Sequence, residues 1–396
     1  MIADRAPASD VDPFDAAFLR DPWPHHARLR DAGPVVYLER YGIWSMARYD
    51  DVAATLHDWE TFCSSAGAGM TNFHRETPWR KPSIILEADP PLHTRTHKVL
   101  LRALSPAALK ALKPVFEREA GALVEDLVRI GTFDGAEDCA RAFPLRVFPD
   151  AIGLRGEGRE KLLTFGDMVF NAFGPRNERL ETALAATSVV LPAIMEMCAR
   201  MSLSGDGLGA RVYDAVDAGD IAEDEAAMLV RSLLSAGLDT TIGAIAAALF
   251  CLARDPDAFD ALRADESLAR TAFDEAIRVE SPVQTFFRTT TRATRAGDVD
   301  IPEDAKVLLF LASANRDPRR WDDADRYDLS RRTGGHVGFG SGIHRCVGEL
   351  LSRLEGEALL VAIARRVRRM RLAGEPRVRL NNTIRSYDRL PLAFEA

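Results

Sequence analysis

From about Asp224 to Arg254 the chain reads as one long helix, EDEAAMLVRSLLSAGLDTTIGAIAAALFCLARDP, with an acidic start, a closing Arg and a Pro stop. At roughly 1.5 Å per residue it spans about 45 Å, enough to cross a whole domain. A helix apolar nearly all round has no face to offer water, so it must run through a core. Arg231 and Asp239 interrupt the apolar run and speak against a membrane span. The rest of the chain therefore has to surround this element.

Composition supplies the material. Of 396 residues, 47% are hydrophobic and 28% charged, which suits a large soluble core, and the net charge of −8 disfavours nucleic acid or an anionic membrane as partner. Cys63, Cys139, Cys198, Cys251 and Cys346 are odd in number, scattered and without a C-x-x-C pair, so neither a disulfide framework nor a zinc knuckle is indicated. The opening MIADRAPASDVDPFD has no apolar stretch like a signal or anchor, and a cytoplasmic protein with a mobile tail is expected. Residues 34–49 alternate around Tyr41-Gly42 as a hairpin. Helical patterns fill Pro91 to Arg278, broken at 131–137, 153–158 and 203–209; strands follow in TFFRTTTR, KVLLFLASAN and RVRLNNTIRSY. With no repeat or Gly/Ser linker, the prediction is a mainly α fold with small β-sheets at its edges.

Near the C-terminus HVGFGSGIHRCVG sets Cys346 among Gly338, Gly340, Gly342 and Gly348. So much backbone freedom suits close approach to something bulky. The cysteine alone could be a nucleophile, a zinc ligand, a buried hydrophobe or an axial ligand to a macrocycle. Within the long helix, AGLDTT places Asp239 and Thr240 in an apolar setting; the plainer reading is a kink at Gly237 with the Thr hydroxyl bonded back a turn. Glu275 and Arg278 share a helix face at (i, i+3), a spacing common on solvated surfaces.

In this order the motifs closely resemble those of the bacterial cytochrome P-450 haem-thiolate monooxygenases. F-G-x-G-x-H-x-C-x-G is matched by Phe339, Gly340, Gly342, His344, Cys346 and Gly348, with A-G-x-D-T and E-x-x-R upstream. The resemblance implies the triangular helical fold of that family, with residues 13–396 as one haem-binding monooxygenase domain behind a flexible tail, 1–12. It implies haem b between the long helix and the Cys346 loop, with Cys346 as thiolate ligand to the iron and Phe339, Gly340 and Ala236 against the macrocycle. Arg288, His344 and His93 would neutralise the propionates; His97 stands where many bacterial members have Arg and should contribute less. Glu275 and Arg278 would be a buried structural ion pair, and Asp239 and Thr240 would deliver protons.

The segments WRKPSIILEADPP, MVFNAFGP, LVRSLLSAGLDTT and SPVQTFFRTTTR further resemble a subgroup that demethylates 4-methoxybenzoate-like acids. Ser232 and Thr240 are eight residues apart, hence on nearly one helix face and about 12 Å apart along the axis, slightly more than a para-alkoxybenzoate needs. The resemblance assigns the carboxylate to Arg80, Ser83, Ser232 and Ser235, and the ring to Phe170, Phe173 and Phe286. The competing reading leaves the serines bonded to backbone and the phenylalanines in the core. O2 and electrons from NAD(P)H through a reductase and a 2Fe–2S ferredoxin are implied, with Arg345, Arg353, Lys98 and Arg102 as the docking patch and a lid near 165–210. The rival functions are hydroxylation of a terpenoid, macrolide or fatty acid, a haem-thiolate gas sensor, and a cysteine-nucleophile hydrolase.

Overall fold

The computed structural model describes residues 6–78, 80–155 and 157–396. Residues 1–5 of the expected tail, Trp79 at the head of WRKPSIILEADPP and Gly156 in the expected 153–158 loop lie outside the described residues. The remainder of that tail is tied down: Ala8–Ser9 (β1) pairs in parallel with Val36–Leu38 (β2). The predicted hairpin joins β2 to Ile43–Met46 (β3), with Gly42 taking φ +63° in its turn. Phe62–Cys63 (β4), Thr285–Thr290 (β5) and Lys306–Phe310 (β6) complete a six-stranded sheet in the order β1-β2-β3-β6-β5-β4, larger than the edge sheets expected. Val307 and Leu309 pack into one apolar cluster and Leu308 and Phe310 into another, so both faces of β6 are covered. The LASAN stretch expected to prolong β6 turns into a short helix, where Asn315 is held by Ser281 and receives the Val337 N–H.

The helices that position the site are Tyr49–His57 (α1), Leu92–Ala103 (α2), Lys161–Asn171 (α3), Glu178–Met197 (α4), Glu223–Ala236 (α5), Asp239–Arg254 (α6), Ala269–Glu280 (α7) and Glu349–Arg366 (α8). Helices at Pro106–Ile130, Ala142–Ile152 and Leu208–Asp217 pack around them. The predicted single long helix is α5 and α6, interrupted at Gly237-Leu238. Two local causes are visible. The Thr240 hydroxyl donates to the Ala236 carbonyl at 2.7 Å, occupying the acceptor a continuous helix would use there. The Phe148 ring lies so close to Gly237 that a Cβ would collide with it. As expected of a core element, nearly every residue of α6 is buried. A two-stranded ribbon, Arg377–Arg379 (β7) with Ser386–Arg389 (β8), folds back over the break.

Candidate active site

A cavity of about 670 Å³ lies between the α5–α6 break and the loop preceding α8. It falls within the size of a cofactor or substrate site. Its floor is the glycine-rich loop. Gly340 and Gly342 hold φ +70° and +68°, where a side chain would be strained, and at Gly342 a Cβ would also collide with the Leu56 carbonyl of α1. The loop is closed by Cys346 N–H donating to the Phe339 carbonyl at 2.9 Å. The Cys346 sulfur opens onto the cavity and is walled by protein elsewhere. That enclosure pushes the thiol up to about 11, and N–H groups of Gly348 and Glu349 aimed at it work the other way.

Beside the loop, α2 and β5 bring the expected cradle together. The His93 ring lies 4.3 Å from that of His344 and 5.0 Å from that of His97. His93 Nε2 and His344 Nε2 are buried without partners, and Asp89, at 3.7 Å from His344, is too far for a hydrogen bond. Arg288 is buried, donates only to the Phe287 carbonyl and has no carboxylate ion pair among the described residues; burial lowers it to about 10, still a cation. Burial lowers His344 and takes His93 down to about 4 while Arg288 stays a cation, so the predicted trio brings one charge and two imidazoles to this wall, and anions placed beside them would raise both imidazoles. His97 is likewise lowered by burial and donates to the Arg345 backbone.

These residues fit haem. One cysteine thiol faces the cavity, two orphaned imidazoles and an unpaired guanidinium face the same region, and a Gly-rich floor lies beneath. Among the described residues no three His, Cys, Asp or Glu side chains are grouped to hold a metal ion. Phe339, Gly340 and Ala236 line the same space, and the Arg353 guanidinium sits 4.9 Å from the Phe339 ring centroid.

The roof is the helix break. Thr240 lines the cavity; Asp239 does not. Asp239 is buried beside it, accepts from Arg379 Nη1 at 3.3 Å through Oδ1, and leaves Oδ2 without a partner. Burial raises it to about 6 despite Arg379. Arg379 Nη2 donates to Asp167 Oδ1 at 2.8 Å, and Asn381 Nδ2 to the same oxygen at 3.1 Å. Sequence reading missed Arg379, Asp167 and Asn381.

At the far end lie the residues of the predicted anion site. Arg80, Ser83, Ser232 and Ser235 all line it, with Ser83 and Ser232 hydroxyls 3.4 Å apart. Their bonds match the plainer reading in part: Ser232 donates to the Met228 carbonyl at 3.0 Å and Ser235 to that of Ser232 at 3.1 Å. Arg80 forms a two-point pair with buried Glu87 at 2.7 and 2.6 Å, so its charge is already matched. Arg231, unmentioned as a ligand by the sequence, lines this end with no carboxylate pair among the described residues. Phe170, Phe173 and Phe286 form the wall between, in edge-to-face pairs at 6.0 and 5.3 Å. Leu184, Ser188, Leu191 and Met195 of α4 line the mouth.

Outside the cavity, Glu275 and Arg278 are fully buried, not a solvated surface pair. Every Arg278 N–H is used: two bonds of 2.7 Å to Glu275, and one each to the carbonyls of Asn315, Ala324 and Arg326. In the expected docking patch Arg345, Lys98 and Arg102 are exposed, but Arg353 is buried between Asp274 and Glu349 and does not belong to a surface.

The sequence profile of the Cytochrome P450 family matches residues 208–370. The chain is 54% identical over 387 residues to cytochrome p450 CYP199A2 of Rhodopseudomonas palustris, covering 98% of this chain and 94% of that protein. It is 32% identical to cytochrome P450 107B1 of Saccharopolyspora erythraea over 97% of both. Among solved structures, cytochrome P450 CREJ in complex with (4-ethylphenyl) dihydrogen phosphate superposes with a TM-score of 0.88 at 28% identity, over 97% of this chain and 99% of that one. Epothilone D-bound cytochrome P450epoK also reaches 0.88, at 27% identity, over 98% and 100%.

Proposed function

As the chain belongs to the cytochrome P450 family, and is therefore a monooxygenase that binds haem b and draws on O2 and redox partners, we propose that its substrate is a small aromatic carboxylic acid. The reaction is O-demethylation or hydroxylation at the para position of a substituted benzoate. For 4-methoxybenzoate, O2, two electrons and two protons give 4-hydroxybenzoate, formaldehyde and water.

The observation that carries this reading is the layout of one cavity: hydroxyls of Ser83 and Ser232 beside Arg80 at one end, a phenylalanine wall, then Thr240 and Cys346. The solved relative that holds (4-ethylphenyl) dihydrogen phosphate supports it, since that ligand is also a para-substituted arene with an anion opposite.

When bound, haem supplies the oxidising power that inserts oxygen from O2 into a C–H bond, and Cys346, His93, His97, His344 and Arg288 are the residues that would hold it. The remaining work belongs to the chain. On binding, Ser232 and Ser235 would rotate their O–H groups from the Met228 and Ser232 carbonyls to the carboxylate, beside the Ser83 hydroxyl, with Arg80 and its neighbour Arg231 as the cations of that end. Phe170, Phe173 and Phe286 fix the ring plane and keep water from it. Thr240 donates to the Ala236 carbonyl, which leaves its oxygen as an acceptor toward the cavity, and Asp239 behind it stores a proton. A 2Fe–2S ferredoxin with its NAD(P)H-dependent reductase docks on the exposed Lys98, Arg102 and Arg345 face, and the protein works as a cytoplasmic monomer.

Titration of 4-methoxybenzoate into the ferric holoprotein tests the reading. A low-to-high-spin Soret shift that weakens at least tenfold in Ser232→Ala/Ser235→Ala is the expected result. The absence of any shift across para-substituted benzoates sinks it and favours the biosynthetic hydroxylase.

A further inference from the structure

At the far end of the cavity the charges do not cancel, and the residue that sets the remainder is Glu87. Three N–H groups converge on its carboxylate: Arg80 Nη2 on Oε1 at 2.6 Å, and Arg80 Nη1 and the Ser83 backbone N–H on Oε2 at 2.7 and 2.9 Å. The Glu87 side chain is 1% exposed, and the residue lines the cavity. Its own N–H donates to the Ser83 carbonyl at 3.1 Å, and the Leu86 N–H to the Ser83 hydroxyl at 3.1 Å. The turn that presents Ser83 to the cavity is thus the turn that fixes Glu87, so the carboxylate cannot swing away by itself.

Arg231 of α5 is the second guanidinium of this end, and Arg80 and Glu87 act on it in opposite senses. Lys81 and Asp224 stand 3.9 Å apart as an exposed pair that water screens. Lys306 of β6 also feels Glu87, but it gives its ammonium to the carbonyls of Ala66 and Gly67 and does not line the cavity. Two guanidiniums against one carboxylate leave a single positive charge where the acid group of a substrate would lie.

We propose that Glu87 is a specificity-determining residue for the charge of that acid group: it holds the site to one negative charge, admitting an aryl carboxylate and turning away an aryl dianion. This rests on the reading of this end as the carboxylate site. A second negative charge could be matched only if Arg80 left Glu87, which would strand a buried carboxylate. If Arg80 stays, the second charge meets Glu87 at close range in a weakly screened interior.

Spectral titration of the ferric holoprotein with 4-methoxybenzoate and with 4-methoxyphenyl phosphate, which gains its second charge near pH 6, tests this. Phosphate binding is read from its own Soret shift or from competition with the benzoate. Between about pH 6 and 8 the wild type should bind the benzoate with little change, while Kd for the phosphate rises about tenfold per pH unit as its singly charged form disappears. In Glu87→Gln, which keeps the shape and removes the charge, the ratio of phosphate Kd to benzoate Kd at about pH 8 should fall by about tenfold or more. A merely structural Glu87 would weaken both ligands alike. A phosphate Kd that stays flat or falls with pH in the wild type overturns the proposal, as does an unmoved ratio in Glu87→Gln. A phosphate that binds neither protein at any pH also overturns it, since shape rather than charge would then decide. The wild-type series stands by itself if the variant does not take up haem. Any of these results beside normal benzoate binding removes the proposal alone, whereas no shift with the benzoate removes the reading of the pocket and the proposal with it.

Discussion

Two arginines of this molecule are buried against carboxylates, and they are built in opposite ways. Arg278 places all five N–H donors, two on Glu275 and three on backbone carbonyls, and Glu275 receives Arg331 as well at 3.0 Å. Arg379 is divided between two acids, and one of them keeps an oxygen with no partner. Full satisfaction makes a fixed joint; incomplete satisfaction leaves a group whose charge state depends on what surrounds it. The first lies away from the cavity and the second directly behind its roof.

The contrast can be broken experimentally. The largest effect belongs to Arg278→Ala, which strands Glu275 in the core and should cost about 3–5 kcal/mol in urea unfolding, with poor haem incorporation. Next comes a pH effect. The folded value of Asp239, about 6, stands above its ordinary 3.8, so the native state holds an extra proton between these limits. The stability contributed by that proton is full below 3.8 and is lost as pH rises through 6, by up to about 3 kcal/mol. Asp239→Asn should flatten that part of the stability profile, measured as the difference between the two unfolding curves. Arg379→Ala is expected to be milder than Arg278→Ala, about 1–3 kcal/mol, because Asp239 answers by protonating. An equal loss at both sites would erase the distinction. Smallest in stability is Thr240→Ala, within about 1 kcal/mol. Its signature is kinetic: less product formed per NAD(P)H consumed at similar haem content.

How much of this could be read in the sequence follows from distance along the chain. The Cys346 loop, the Asp239-Thr240 step and the Glu275–Arg278 spacing are local, and each stands where its motif placed it. The burial of Glu275 and Arg278 was legible only through the resemblance, since by spacing alone a surface pair looks the same. Arg379 is 140 residues from Asp239 and 212 from Asp167, a meeting no periodicity reports. Arg80 and Glu87 are seven apart, yet their pairing depends on the path of the irregular segment between them. The helix break was half legible: Gly237 and Thr240 offered a kink, while Phe148 came from elsewhere.

The close approach of Gly342 to the Leu56 carbonyl has a consequence beyond the loop itself. Leu56 and Val52 of α1 belong to the apolar cluster of Trp44, Met46 and Val307 on the six-stranded sheet. The seat of the sulfur is thus registered, through Gly342, against the strands. A packing fault in that sheet, such as Val307→Ala, would alter the absorption spectrum of the ligated thiolate before the protein as a whole gave way.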